Sequence, residues 1–122
     1  DLRLHPEDAG FASGKPSGLL RVRGWFRFGA GEPVDTLGLL LAVDSFPPTS
    51  FNANLPVAWT PTVELTVHLR ARPAPGWLRA SFSSRFVSGG FVEEDGELWD
   101  STGRLVAQSR QLALLPLVKP SE

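Results

Sequence analysis

The sequence predicts a single α+β domain in which a long, curved antiparallel sheet wraps around one central hydrophobic helix. The chain has 122 residues, which is close to the commonest size of one domain. One apolar segment, Val34–Val43, directly follows Pro33 and has the length and composition of a helix. After residue 61, segments that alternate between apolar and polar residues are separated by short turns, which is typical of antiparallel hairpins. A sheet of this length needs an apolar element against its inner face, and Val34–Val43 is the candidate.

Residues 1–17 are predicted to form a linker or an extended arm. They read DLRLHPEDAGFASGKPS, with scattered proline, glycine, serine and charged residues and no sustained strand or helix period. The folded domain is expected to span residues 18–117, followed by a short tail at 118–122. Because the chain contains no methionine, it lacks its own translation start, and we expect a further domain upstream.

The first predicted strand runs from Leu19 to Phe28, where apolar and basic residues alternate as in a strand with one buried face. The apolar positions are Leu20, Val22, Phe26 and Phe28, and the basic positions are Arg21, Arg23 and Arg27. The helix that follows has Pro33 in its first turn and ends before Pro47-Pro48. Because the run is apolar on nearly all sides, we expect it to be buried on nearly all sides.

Four further strands are predicted in series, joined by short hairpins. They span Thr62–Arg70, Trp77–Val87, Phe91–Asp100 and Leu105–Leu115. Pro73–Gly76, Gly89-Gly90 and Ser101–Gly103 supply the turn residues between them. The apolar residues expected to face inward from the first two of these strands are Val63, Leu65, Val67 and Leu69, then Leu78, Ala80, Phe82 and Phe86.

A long antiparallel sheet around one hydrophobic helix is the hotdog architecture. A β-sandwich is the alternative, and it requires Val34–Val43 to be a strand. Pro33 and the run of leucines favour the helix, and therefore the hotdog fold. Because a lone hotdog leaves a sheet edge unpaired, and such an edge pairs readily with another strand, we expect a second hotdog unit as its partner.

Composition argues against several functional classes. The balance of 12 basic and 13 acidic residues is unlike a nucleic-acid binder that relies on bulk positive charge. The absence of cysteine excludes disulfides, thiolate metal sites and cysteine nucleophiles, and two histidines are too few for a multi-histidine metal site. No segment reaches the ~18 apolar residues of a membrane span and no signal peptide opens the chain, so we expect a cytoplasmic location.

Three polar residues stand where chemistry is possible. Asp44 ends the apolar helix beside Val43 and Phe46, so partial burial is expected, although a solvated carboxylate at a helix end is the simpler alternative. Thr62 opens a strand and is, on composition alone, an ordinary β-branched strand residue. Gln111 lies on an apolar strand face, where its amide needs partners, as a structural core amide or as a functional group. A carboxylate, a hydroxyl and a carboxamide together can hold and deprotonate a water for attack on an acyl carbon.

Other recognisable chemistry is lacking. The sequence has no Gly-x-Ser-x-Gly elbow and no glycine-rich phosphate loop. The acidic run Glu93–Asp95, which precedes Gly96, is predicted to be a solvated hairpin edge and not a metal site. The candidate chemistry therefore rests on Asp44, Thr62 and Gln111.

Four segments occur in the order found in acyl-CoA thioesterases of the type II, double-hotdog class. They are LAVDSF (Leu41–Phe46), WTPTVELTVHLR (Trp59–Arg70), Trp77-Leu78 and ELWDSTGRLVAQSRQ (Glu97–Gln111). The most specific of them has the D-G-x-L-V-A-x-x-x-Q style of ending. From Leu19 to Leu115 the chain resembles the C-terminal repeat of these proteins.

The resemblance implies hydrolysis of an acyl thioester, most directly acyl-CoA, to a free acid and a thiol. In the family an Asp, a Ser or Thr, and a Gln of this repeat orient the hydrolytic water. These correspond to Asp44, Thr62 and Gln111, with Thr66 as an alternative register for the hydroxyl. The resemblance further implies an acyl tunnel between two hotdog repeats, backbone N–H groups of the partner repeat that polarise the carbonyl, and no metal or organic cofactor. The alternative function is a non-catalytic hotdog module that binds an acyl chain or only completes a double-hotdog fold.

Overall fold

The computed structural model describes residues 1–53 and 60–115, and these contain seven strands and one α-helix. The helix, α1, spans Thr36–Ser45. The strands are β1 (Leu2–Leu4), β2 (Arg21–Phe26), β3 (Thr62–Leu69), β4 (Leu78–Ser83), β5 (Val87–Ser88), β6 (Phe91–Trp99) and β7 (Leu105–Leu114). Short 3-10 turns lie at Pro6–Asp8, Gly10–Ser13 and Thr49–Asn52. Trp59 of the second sequence segment and the predicted tail at 118–122 lie outside the described residues.

All seven strands belong to one antiparallel sheet, with the order β1-β2-β4-β6-β7-β3 and with β5 paired to β6. The predicted combination of a long antiparallel sheet and one helix is confirmed. The prediction that the last four long strands follow one another as hairpins is wrong at one connection. Strand β3 pairs with β7, and β4 lies between β2 and β6. Pro73 and Pro75 in the β3–β4 connection have no N–H for a ladder, and the chain crosses there from the sheet edge to its interior.

The core lies between the inner face of the sheet and one side of α1. From the helix, Leu39 and Ala42 are completely buried, and from β2 the predicted alternation buries Val22 and Phe26. They pack in one cluster with residues of the central strands, namely Leu78, Ala80, Phe82, Leu98, Val106 and Ala107.

The expectation that the helix is buried on nearly all sides is wrong. Leu37, Leu40 and Leu41 are 71%, 42% and 55% exposed. The reason is that a single sheet covers only one side of a helix. Because α1 is apolar on all sides, the side away from the sheet exposes apolar residues. Pro33 also lies before the first helical turn, because Asp35 is the N-cap and its side chain accepts the Gly38 N–H at 2.7 Å. Among residues 1–53 and 60–115, no helix combines the length and apolar character that crossing a membrane requires.

The segment 1–17, expected to be a linker or an arm, has defined contacts with the sheet. Strand β1 pairs with β2, and the carboxylate of Asp8 is completely buried between Arg21 and Arg23, with Asp8 Oδ2 2.8 Å from Arg23 Nε. Burial alone would raise the pKa of Asp8, but the hydrogen bonds from the two guanidinium groups lower it overall. The sequence signal is weak here because three strand residues are too few to show a period.

Two details of the predicted strand faces are wrong. Phe86 is 61% exposed, because β4 ends at Ser83 and the chain turns before Phe86 can reach the inner face. In β3 only Leu65 and Val67 pack on the core, while Val63 and Leu69 are exposed. Both ends of β3 therefore carry apolar side chains that the described residues do not cover.

Candidate active site

A cavity of about 310 Å³ lies between the C-terminal end of α1 and the inner face of β6, β7 and β3. Asp44, Thr62 and Gln111 all line it, so the fold brings together three residues that are far apart in the sequence. The other lining residues are Val43, Phe46, Pro48, Thr60, Pro61, Val92, Glu94 and Ala113.

Asp44 is placed in the cavity lining by the C-terminal end of the helix. Its neighbours Val43 and Phe46 are buried, and the Phe46 ring packs on the ring of Phe82 with centroids 5.1 Å apart. These contacts anchor the chain on both sides of Asp44. The side chain itself is exposed, so the expectation of partial burial is wrong for the described residues.

Thr62 reaches the cavity because of a β-bulge. Leu65 lies opposite Gln111, and a regular register would then place Val63 opposite Ala113 and turn Thr62 to the outer face. Instead the register shifts between Thr62 and Glu64, and Thr62 lies opposite Ala113. The extra residue in the bulge thus moves the Thr62 side chain to the inner face, a common use of bulges beside functional sites.

The alternative hydroxyl, Thr66, is on the other side of the sheet. It lies opposite Arg110 in the regular part of the register and donates a hydrogen bond to Glu64 Oε1. It lines a separate shallow depression with His68 and Gln108. Thr62 is therefore the hydroxyl that shares a cavity with Asp44 and Gln111.

Gln111 connects the two neighbouring strands at the base of the cavity. It is half-buried on the inner face of β7, and its Nε2 donates a hydrogen bond to Thr62 Oγ1. This bond occupies one lone pair of the hydroxyl and leaves the Thr62 O–H available as a donor. It also leaves the amide oxygen of Gln111 as an acceptor next to that donor.

Glu94 is a second carboxyl group in the cavity, which the sequence interpretation did not identify. The prediction that Glu93–Asp95 is a solvated hairpin edge is wrong for Glu94, because β6 is an interior strand and Glu94 is on its inner face, opposite Gln111. Burial raises the pKa of Glu94 to about 7, although the Thr49 N–H, 3.1 Å from Glu94 Oε2, acts in the opposite direction. The sequence does contain a signal for Glu94. Alternate residues of a strand point to the same face, so Glu94 lies on the face of Val92, Gly96 and Leu98, which is the apolar face of this strand.

The outward-facing acidic neighbours behave as structural groups. Asp95 forms a bidentate ion pair with Arg110, in which Nε donates to Oδ1 at 2.7 Å and Nη2 donates to Oδ2 at 3.0 Å. The hydrogen bonds from that guanidinium lower the pKa of Asp95. Glu93 Oε1 accepts the backbone N–H groups of Arg85 and Phe86. Neither carboxylate lines the cavity.

The cavity can therefore hold and activate a water molecule. Its described lining supplies two carboxyl groups, an amide, hydroxyl groups and apolar side chains, and none of these described lining residues is basic. Among the described residues, no group of three or more histidine, cysteine or acidic side chains is placed to hold a metal ion. The chemistry that fits this set is proton transfer from a bound water beside an apolar group.

Comparisons with known proteins identify the family and the fold of this chain. A family profile described as the acyl-CoA thioesterase C-terminal domain matches residues 1–115. An uncharacterized protein of Mycobacterium tuberculosis H37Rv is 41% identical over 86 residues, which cover 70% of this chain and 29% of that protein. The chain thus spans less than a third of the length of this curated relative.

Two solved structures are similar to the whole described fold. A candidate thioesterase II of Thermobifida fusca YX has a TM-score of 0.82 and 40% identity, over 95% of this chain and 45% of that one. A conserved protein of unknown function with a hot dog fold, from Alicyclobacillus acidocaldarius, has a TM-score of 0.80 and 23% identity. That match covers 97% of this chain and 46% of the other, and it bears on the fold alone. The hotdog fold predicted from the sequence is confirmed.

Proposed function

Because the chain belongs to the acyl-CoA thioesterase C-terminal domain family, we propose that it hydrolyses acyl thioesters, with acyl-CoA as the substrate class, to a free acid and a thiol. The observation that carries this proposal is the shared cavity of Asp44, Thr62 and Gln111, in which Gln111 donates a hydrogen bond to Thr62. Because the amide N–H of Gln111 donates to Thr62, the Thr62 O–H remains a donor and the Gln111 amide oxygen remains an acceptor. Together with the Asp44 carboxylate, these groups can all bind one water molecule.

In the proposed mechanism the three side chains bind both O–H groups and one lone pair of the water, so that its second lone pair stays free to react. Asp44 accepts one proton of the water as general base, and the amide oxygen of Gln111 accepts the other O–H as a hydrogen bond. The hydroxyl of Thr62 donates to one lone pair of the water oxygen. The remaining lone pair attacks the thioester carbonyl carbon. The C–S bond then breaks with its electron pair on sulfur, and the sulfur takes up one proton to become the thiol, which balances the proton that Asp44 accepted.

The apolar walls fit the acyl part of such a substrate. Val43, Phe46, Val92 and Ala113 line the cavity next to the polar set, and all four side chains are buried. An acyl chain that contacts these residues would keep bulk water from the reacting carbon and strengthen the polar interactions around it.

We propose a second hotdog unit as the partner that completes the site. The apolar side of α1 exposes Leu37, Leu40 and Leu41, and β3 is an edge strand whose outer edge pairs with none of the described strands. An unpaired edge beside an exposed apolar helix face is suited to a second sheet and helix of the same kind. Backbone N–H groups of that partner would polarise the carbonyl, since the described lining offers no basic group for this role.

The test is release of thiol from a panel of acyl-CoA esters of increasing chain length, with wild type, Asp44→Asn and Asp95→Asn. Asp95→Asn is the matched control, because it makes the same chemical change on the outer face of the sheet. We expect Asp44→Asn to lower kcat by about 10²–10⁴-fold, the range for loss of a general base, and the control to keep its activity. No turnover by the wild type on any ester would instead favour the non-catalytic hotdog module.

A further inference from the structure

We propose that Glu94 is a further catalytic residue of this hydrolysis, which as a neutral acid donates its proton to the sulfur of the departing thiolate. This inference rests on the proposed function and assigns to the cavity a second carboxyl group with a role opposite to that of Asp44.

The first argument is the position of Glu94 relative to the water-holding residues. It lines the same cavity as Asp44, Thr62 and Gln111. Strand β7 lies between β6 and β3, so Gln111 has Glu94 on one flank and Thr62 on the other. Directly opposed residues of antiparallel strands have Cβ atoms about 4.5–5.5 Å apart. If the water attacks the thioester carbonyl carbon from the Thr62 side of Gln111, the sulfur bonded to that carbon can lie on the Glu94 side.

The second argument is the way in which the carboxyl group is held. Glu94 Oε2 accepts the Thr49 N–H at 3.1 Å, and the hydroxyls of Thr49 and Ser84 are 2.6 Å apart, which braces the turn that supplies this N–H. The Thr49 backbone N–H thus holds Oε2 as an acceptor, and the Thr49 side chain also forms a hydrogen bond with this carboxyl group. In the proposed role the acidic proton is on the other oxygen, Oε1.

The third argument is the charge around the group. Asp44, from α1, is the other titratable residue of the cavity lining, and Glu93 is the adjacent acid on β6. Both are acidic, and the lining residues within 1–53 and 60–115 include no cation that would stabilise the Glu94 carboxylate. Burial, with a smaller effect of Glu93, raises the pKa of Glu94 to about 7. The neutral acid is therefore present near neutral pH.

The complete reaction balances with these two carboxyl groups. Asp44 takes one proton from the water as the C–O bond forms, and the other proton stays on the new acid. When the C–S bond breaks, its electron pair goes to sulfur, and the Glu94 proton joins it to form the thiol. The proton on Asp44 then returns to Glu94 through solvent, so that the site is restored and one water has been consumed.

The experiment compares two leaving groups with Glu94→Gln. Gln keeps an oxygen for the Thr49 N–H but cannot act as an acid. The substrates are one acyl group esterified to CoA, whose alkyl thiol is weakly acidic, and to a nitrothiophenol, whose thiolate leaves without protonation. The control variant is Glu97→Gln, which makes the same change on the exposed outer face of β6.

We expect Glu94→Gln to lower kcat/KM for the CoA ester by about 10–100-fold, at the low end of general acid catalysis because thiolates leave readily. We expect a loss of less than about 3-fold for the aryl ester, since no proton is needed there. The wild type should also lose activity on the CoA ester as the pH rises above about 7, and Glu94→Gln should lack this limb. Glu97→Gln should match the wild type on both substrates.

Equal losses on the two esters, or no loss on either, would overturn the inference and assign Glu94 a structural role. Inactive wild type on both esters would overturn the proposed function itself and the inference with it, so the two failures are distinguishable. A thermal unfolding curve for each variant separates loss of chemistry from loss of folded protein.

Discussion

The role of the β-bulge in β3 can be tested with two substitutions that make the same chemical change on opposite faces of one strand. Thr62→Val removes the hydroxyl that accepts the Gln111 hydrogen bond, while Thr66→Val removes a hydroxyl on the outer face. Valine keeps the shape and the β-branched character of threonine, so the strand itself is preserved. If the bulge serves to turn a hydroxyl into the cavity, only Thr62→Val should affect hydrolysis.

The magnitude follows from the hydrogen bonds that are lost. Thr62→Val removes the acceptor of Gln111 Nε2 and the donor to the attacking water, and each net hydrogen bond contributes about 0.5–1.5 kcal/mol. Because Thr62 is exposed, water can replace part of the lost hydrogen bonding. We therefore expect Thr62→Val to reduce the stabilisation of the transition state by about 1–2 kcal/mol. The corresponding decrease in kcat is about 5–30-fold.

The assay is steady-state thiol release from an acyl-CoA ester, with kcat and KM determined for wild type, Thr62→Val and Thr66→Val. We expect kcat of Thr62→Val to fall in the stated range with little change in KM, and Thr66→Val to stay within about 2-fold of the wild type. Equal kcat values for the two variants, or a larger loss for Thr66→Val, would refute the assignment of the hydroxyl and the role given to the bulge.

Three further outcomes test the packing and the electrostatics. Gly96→Ala should destabilise the fold by about 1–3 kcal/mol in urea unfolding, because its Cβ would overlap the Ser109 hydroxyl and the Phe82 ring; an unchanged midpoint would contradict this. Asp35→Ala removes the N-cap of α1 and should cost about 1 kcal/mol, seen as a decrease in Tm of about 3–6 °C, whereas Asp35→Asn should keep most of the wild-type Tm. Glu94→Gln should become more stable relative to the wild type as the pH rises from 4.5 to 7. The folded protein retains a proton on Glu94 in that range, and the unfolded chain loses it. A Tm difference that is independent of pH would show that Glu94 titrates at its ordinary pKa.

The fold was predictable because its signals are local. Pro33, the leucine run and Pro47-Pro48 mark one helix between strands, and the alternation in β2 is regular enough to identify the buried Val22 and Phe26 without a structure. The pairing of β3 with β7 was not predictable in this way, since a register between segments some 40 residues apart has no local signature.

In the candidate site, too, some residues could be identified from local sequence signals and others only from the structure. Asp44 and Gln111 were candidates by their places at a helix end and on an apolar strand face, the family resemblance implied their roles, and the structure brings both to one cavity. Glu94 was misassigned because the acidic run resembles a solvated edge, although Glu94 shares a strand face with Val92 and Leu98, and the strand order then places that face in the cavity.

The sequence by itself therefore determined the class of fold, the one helix and the residue types of the candidate chemistry, because periodicity, turn residues and composition act within a few positions of the chain. Only the tertiary structure decided which hydroxyl enters the cavity, that a second carboxyl group is there, and that one side of the helix is left open. The hydroxyl depends on a single register shift and the second carboxyl group on strand order. The open side of the helix follows because one sheet covers only one side of it. A shift of one residue moves a side chain to the opposite face of a sheet without changing the local sequence pattern.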